Sequence, residues 1–239
     1  HLSLVLAMLA ALLEQAGGRR PPGALRAVLV GGGPLSPHLA RRALEAGWPL
    51  RPTYGMSEAA SQICTLAAVP AAWAQGHVGP PLPGMSVSVL DDRGRPGRGP
   101  GRIRIAGPMV MAGYACPGLE PGRGLEADGS FVTGDLGALD DAGHLHVRGR
   151  ADAALVSGGH TVQPEEVEGL LAPCPGIGEA VVGGTSDPVW GDVVTVWYTG
   201  GAAPAAVLAW CREELPAPLR PRRARGVAAI PRLPSGKPD

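Results

Sequence analysis

Leu2, Val5, Leu6, Leu9, Leu12 and Leu13 recur at three- and four-residue steps, which predicts a buried helix closed by Gly17-Gly18. After Pro21-Pro22, the run Ala24 to Val30 reads as a short strand stopped by Gly31-Gly32-Gly33. Ser36-Pro37 supplies an N-cap and a first-turn proline for a helix to about Ala46, and Pro49 to Thr53 reads as extended. Strand, glycine turn, helix and strand make a βαβ unit, so residues 1–77 are expected to be α/β.

From Val78 the pattern changes to short β runs: Ser86 to Leu90, Gly101 to Ile105, Phe131 to Thr133 and Gly143 to Val147. Asp91-Asp92-Arg93-Gly94 and Asp140-Asp141-Ala142-Gly143 are hairpin signals, and residues 78–150 are expected to form a β-rich subdomain. Beyond Arg150, the pattern predicts β at Leu155-Val156, a helix starting at Pro164, β runs at Glu179 to Gly183 and Val193 to Tyr198, and a helix from Pro204 to Glu214. Residues 151–239 are therefore expected to be a separate small α+β unit, with the boundary between Arg150 and Asp152. Arg220 to Arg225 is basic but broken by Pro221 and free of aromatics, so a solvated connector is expected there and no nucleic-acid site.

Composition narrows the class. The 239 residues carry 21 basic and 21 acidic side chains with a pI near 7.2, so no electrostatic footprint for nucleic acid exists. No apolar run reaches the ~20 residues of a membrane span. Gly 37 and Pro 26 punctuate apolar runs without a fixed period, which excludes collagen and simple disorder. Cys64, Cys116, Cys174 and Cys211 are widely spaced, so reduced thiols and a cytoplasmic location are expected. The opening decamer is apolar enough for a signal peptide yet has neither an initiator Met nor a basic start, and the natural beginning is expected to lie upstream.

Chemistry-bearing residues sit at the ends of the predicted strands. Gly31, Gly32 and Gly33 let a flat ligand approach the backbone at a strand's carboxyl end, although a structural turn explains them equally. Tyr54-Gly55-Met56-Ser57-Glu58 offers an aromatic face for a base, a hydroxyl for a phosphate and a carboxylate for Mg²⁺. The alternative is a polar turn in which Ser57 caps a following helix. Asp135 in Thr133-Gly134-Asp135 is able to accept two ribose hydroxyls, and Arg150 to bind hydroxyl or phosphate oxygens. Of the 21 basic residues only Lys237 is a lysine, and a compact ammonium kept where arginine is otherwise universal is a candidate for chemistry.

Taken in order, GGGP, YGMSEAASQ, TGD, GRAD, SGG with PEEVE, and PRLPSGK resemble the adenylate-forming acyl-CoA synthetase superfamily over essentially the whole chain. The stretch YGMSEAASQICTL is most similar to its o-succinylbenzoate:CoA ligase branch, which acts in menaquinone biosynthesis. The resemblance implies an adenylate-forming enzyme fold with a mobile C-terminal lid, and a ligase joining a carboxylic acid to ATP and then to coenzyme A. It implies Glu58 as Mg²⁺ ligand, Ser57 as phosphate contact and Lys237 as the adenylation lysine. Gly31, Gly32, Gly33, Tyr54 and Gly55 would bind nucleotide together with Asp135 and Arg150. Asp152 would be the hinge, Gly158 and Gly159 the coenzyme A tunnel, and Ser61 and Gln62 acyl-pocket walls.

Ala153 and His160-Thr161 depart from the family's acidic and Glu-Asn residues there. The Ser/Thr/Gly-rich phosphate loop that precedes these motifs in the family has no counterpart, which implies that the N-terminal part of the fold is missing and that this chain alone turns over poorly. A fatty- or aryl-acid ligase of the same superfamily, or a catalytically silent binding protein, remain the alternatives, and a homodimer is compatible with either.

Overall fold

The computed structural model describes residues 1–115, 122–157, 159–187, 191–233 and 238. Three sheets follow one another along the chain. The first contains β1 (Leu2–Val5), β2 (Val28–Gly31), β3 (Leu50–Met56) and β4 (Ser61–Thr65) in that order, with β1, β2 and β3 parallel and β4 antiparallel to β3. Helices α1 (Leu6–Ala16) and α2 (Pro37–Glu45) make the crossovers.

The opening segment differs from the single helix expected for it. Leu2 to Val5 pair in parallel with Val28 to Gly31, and the helix begins only at Leu6. Leu2, Leu4 and Val5 satisfy a strand as well as a helical face, and here the open edge of β2 captures the segment. The far end agrees with expectation, since Gly17 adopts φ 55° and its N–H bonds Glu14 O, closing α1. Ser36 caps α2 through its side chain, which accepts from Leu39 N at 3.2 Å.

The second sheet is antiparallel, in the order β5-β10-β9-β8-β6-β7. Its strands are β5 (His77–Gly79), β6 (Ser86–Leu90), β7 (Pro96–Gly97), β8 (Gly101–Ala106), β9 (Phe131–Leu139) and β10 (Leu145–Arg150). Both predicted hairpin turns join strands of this sheet. Its core is shared with the first sheet, because Ile103, Ile105 and Leu145 pack in one cluster with Ala59, Ile63 and Cys64.

A 3-10 turn, Ala151–Ala153, leads to the third sheet. It comprises β11 (Leu155–Ser157), β12 (His160–Val162), β13 (Ala180–Asp187), β14 (Gly191–Tyr198) and β15 (Arg223–Gly226). Helices α3 (Pro164–Leu171) and α4 (Pro204–Glu214) belong to the same unit. Val162, Val167, Leu171, Val196, Tyr198 and Val207 fill a core of their own. The basic stretch expected to be a solvated connector instead forms β15, parallel to β14. Arg223 is held there by Thr185 Oγ1 at 2.8 Å and Asp187 Oδ2 at 3.1 Å. Pairing with a buried strand outweighs the cost of placing arginines on an edge that Pro221 only precedes.

No described helix is long and apolar enough to cross a membrane. The described cysteines Cys64, Cys174 and Cys211 are free and buried, and burial pushes the Cys64 thiol up to about 12 and Cys211 up to about 11. Thiols held protonated in this way are packing residues.

Candidate active site

The carboxyl ends of β2 and β3 carry the glycine run and the Tyr54 segment. Gly31 closes β2, and a Cβ there would lie 2.5 Å from Thr53 Oγ1 on the neighbouring strand. Gly32 has φ 80°, a left-handed turn that glycine adopts without strain. The turn is thus structural, and it also leaves Gly32 exposed at the strand end where a flat ligand has access.

Tyr54 points into the core and is 8% exposed. Its hydroxyl donates to Asp135 Oδ2 at 2.6 Å, across 81 residues of sequence. Burial, reinforced by the Asp135 carboxylate, pushes the phenol well above the ordinary tyrosine range, so it remains a donor at any physiological pH. In this arrangement Tyr54 orients the carboxylate, and its ring is committed to packing rather than to an open stacking face.

Asp135 is further fixed by its own backbone, whose N–H donates to Thr133 Oγ1 at 3.0 Å. Across the β9–β10 pair, Asp135 and Arg150 are direct register partners, with Arg150 Nη1 3.6 Å from Asp135 Oδ1. Arg150 also donates from Nε to Asp152 Oδ1 at 2.7 Å and from Nη2 to Asp152 Oδ2 at 2.9 Å. That bidentate pair raises the guanidinium pKa and lowers that of Asp152. Gly134 makes room for the guanidinium, since a Cβ at that position would sit 2.9 Å from Arg150 Nη2. Tyr54, Asp135, Arg150 and Asp152 therefore form one continuous polar chain, with a carboxylate and a guanidinium at its accessible end.

Gly55 permits the return of the chain after β3. A Cβ there would come 1.6 Å from Ser61 O, so only glycine lets β4 lie against this point. The alternative in which Ser57 caps a following helix is overturned: Ser57–Ala59 is a single 3-10 turn and strand β4 follows. Ala60 at φ 53° and Ser61 at φ 120° make the reversal, and the latter is a strained conformation for a residue with a side chain. Ser57 and Ser61 are exposed, while Gln62 and Glu58 are half-buried.

Glu58 is anchored at both ends. Its carbonyl accepts from Met111 N at 2.7 Å, and Oε1 accepts from the Tyr114 hydroxyl at 3.0 Å. Tyr114 was missed in the sequence because nothing local ties it to a carboxylate 56 residues away. One half-buried carboxylate beside an exposed serine hydroxyl suits Mg²⁺, which takes few protein oxygens and completes its shell with phosphate and water.

Gly159, at φ 83°, forms the exposed turn between β11 and β12. Gly158 and Lys237 lie outside the described residues. A separate cleft runs between the first sheet and the C-terminal unit, lined by Gly33, His38, Gln75, Glu168 and Arg232. None of Tyr54, Asp135 and Arg150 lines it.

The face of the C-terminal unit that meets β10 is less well paired. Gln75 Nε2 donates to Glu165 O at 3.1 Å, and Arg148 Nη2 to Glu166 Oε1 at 3.0 Å. Yet Gln75 Oε1, Gln163 Oε1 and Glu165 Oε2 are buried without a hydrogen-bond partner among the described residues. Burial raises the Glu165 pKa, and raises Glu168 from an ordinary 4.5 up to about 7.

The model of the AMP-binding enzyme family matches residues 1–115, and that of the AMP-binding enzyme C-terminal domain matches residues 166–237. The 2-succinylbenzoate–CoA ligase of Geobacillus kaustophilus is 38% identical over 237 residues, covering 97% of this chain and 48% of that protein. Its counterpart in Bacillus cereus is 36% identical over 239 residues, covering 99% and 49%. The chain spans about half the length of the curated relatives it matches. Among solved structures, o-succinylbenzoate coenzyme A synthetase from Bacillus subtilis with ATP and magnesium superposes with a TM-score of 0.80 at 33% identity, covering 98% of this chain and 49% of that one. ATP-bound MatB from Rhodopseudomonas palustris superposes with a TM-score of 0.85 at 29% identity, covering 98% and 48%.

Proposed function

We propose, from the premise that the chain belongs to the AMP-binding, adenylate-forming enzyme family, that it forms part of an AMP-forming acid:CoA ligase acting on o-succinylbenzoate in the cytoplasm. The observation that carries the reading is the convergence of Tyr54, Asp135 and Arg150 from three separate strands. The Bacillus subtilis structures solved with o-succinylbenzoyl-AMP and with ATP and magnesium support both the acid and the nucleotide.

In this reading the acid's carboxylate attacks the α-phosphate of ATP and pyrophosphate leaves; the coenzyme A thiol then attacks the acyl carbon and AMP leaves. The first step brings two anions together, so its barrier is electrostatic and no protein nucleophile is needed. Asp135, held by Tyr54 and Thr133, accepts the ribose hydroxyls. Arg150 exchanges part of its bond to Asp152 for nucleotide oxygens. Glu58 would hold Mg²⁺, which would supply positive charge beside the phosphates, and Ser57 would contact a phosphate oxygen. Lys237 adds a second positive charge at the α-phosphate, Ser61 and Gln62 contact the acid, and Gly158 and Gly159 leave room for the thiol arm. Residues 151–239 act as a lid turning at Asp152, between the two units whose cores are separate.

The test is pyrophosphate release by the protein at its natural length, with ATP, Mg²⁺ and a panel of o-succinylbenzoate, benzoates and fatty acids. Release with o-succinylbenzoate, followed by its CoA thioester, is expected. Release with another acid replaces the substrate and keeps the mechanism, whereas a folded protein that binds no ATP rejects the ligase reading.

A further inference from the structure

Three of the six histidines, spread over 70 residues of sequence, meet at the outer edge of the six-stranded sheet. His77 begins the edge strand β5 and is the register partner of His146 on β10, while Asp140 and His144 belong to the β9–β10 hairpin. His77 Nε2 lies 3.2 Å from His144 Nδ1, and Asp140 Oδ2 lies 3.9 Å from that same Nδ1. The ligand atoms of His77, Asp140 and His144 all fall within 4.8 Å of one another.

We propose that His77, His144 and Asp140 form a binding site for a divalent transition-metal ion of the Zn²⁺ type. A tetrahedral ion bound at ~2.0–2.2 Å holds neighbouring donor atoms about 3.3–3.5 Å apart, so the observed separations need only small side-chain rotations. Two imidazoles and one carboxylate select a borderline cation over Mg²⁺ or Ca²⁺, which prefer oxygen shells. The carboxylate is already aimed: Asp140 Oδ1 accepts from the His144 backbone N–H at 2.8 Å, turning Oδ2 toward the rings. His146 supports it from outside, with Nε2 3.3 Å from Asp140 Oδ2 and its ring stacked on His77 at 4.4 Å between centroids. The three groups are half-buried, which leaves the cluster within reach of an ion from solvent. The site is independent of the ligase reading. It ties together the strand ends next to Gln75 and Arg148, the two side chains that reach α3.

The experiment is titration of metal-stripped protein with Co²⁺, followed by displacement with Zn²⁺ against a chromophoric chelator. One equivalent is expected, with visible bands of a nitrogen and oxygen site. His144→Gln should weaken binding on the order of 100-fold and His146→Gln on the order of 10-fold, while His160→Gln leaves it unchanged. His77→Gln, which removes a ligand from the other strand of the cluster, serves where circular dichroism finds His144→Gln unfolded. Binding retained in both His77→Gln and His144→Gln, a thiolate-to-cobalt charge-transfer band, or no stoichiometric binding overturns the proposal.

Discussion

Two polar clusters that flank the Ala151–Ala153 turn are treated in opposite ways. On the β9–β10 side, Tyr54, Thr133, Asp135, Arg150 and Asp152 pair with one another end to end. On the α3 side, Gln163 Oε1 and Glu165 Oε2 are buried without partners among the described residues, and Glu168 is held at a raised pKa. A satisfied network stays rigid through a reaction cycle, whereas a buried orphan acceptor favours any arrangement that returns it to water. In the proposed reading, the first cluster would be a pre-organised nucleotide clamp and the second a surface made to separate. Conversely, a face evolved for permanent docking would have paired these acceptors.

Linking the two sides rigidly should have the largest effect. Proline fixes φ and restricts the residue before it, so Asp152→Pro is expected to trap one lid orientation. One half-reaction should fall on the order of 100-fold or more and the other survive, as pyrophosphate release and thioester formation from supplied acyl-adenylate would reveal. Equal retention of both would remove Asp152 from the hinge.

Breaking the clamp comes next. Asp135→Ala removes the carboxylate acceptor of the buried Tyr54 hydroxyl and leaves it only the Thr133 side chain beside it, so a loss of about 1–2 kcal/mol in urea unfolding is expected. Tyr54→Phe, which removes the donor and leaves a carboxylate that still has Arg150 and solvent, should cost about 1 kcal/mol. If the two variants lost the same amount, the bond would not be the buried linchpin described.

The docking face predicts the reverse sign. Between pH 4.5 and about 7 the folded chain keeps a proton on Glu168 that the unfolded chain has released, so stability falls as pH rises through this window and is level above it. Glu168→Gln keeps an oxygen for Val182 N, which donates to Oε1 at 2.8 Å, and removes the charge. It should raise stability on the order of 2 kcal/mol at pH 8 and change little at pH 4, read from unfolding curves at both values. The smallest effect belongs to Arg148→Met. Its pair with Glu166 is about one-third exposed on each side, so less than about 1 kcal/mol is expected, fading further with added salt.

How much of this was legible depends on the range over which each feature is decided. The ends of α1 and α2 were readable because Gly17 and Ser36 act within their own turns. The span of α4 followed from Pro204 and the apolar spacing up to Glu214. By contrast, β1 and β15 were misread, since each exists only because a distant strand offers an open edge. Within the site, the chemical types of Tyr54, Glu58, Asp135 and Arg150 were visible in short motifs. That Tyr54 is a buried positioning donor rather than an open stacking surface was not, because nothing in YGMSE distinguishes the two faces of the ring.

By itself, then, the sequence determined what local chemistry determines: helix caps, hairpin turns, the residue types able to hold a nucleotide, and the family resemblance those motifs carry. The tertiary structure decided which of them meet. Tyr54 and Asp135 are 81 residues apart, Glu58 and Tyr114 are 56, and His77 and His144 are 67. A hydrogen bond or ligand contact fixes atoms to within a few tenths of an ångström, and over such separations only the packed sheets supply that precision.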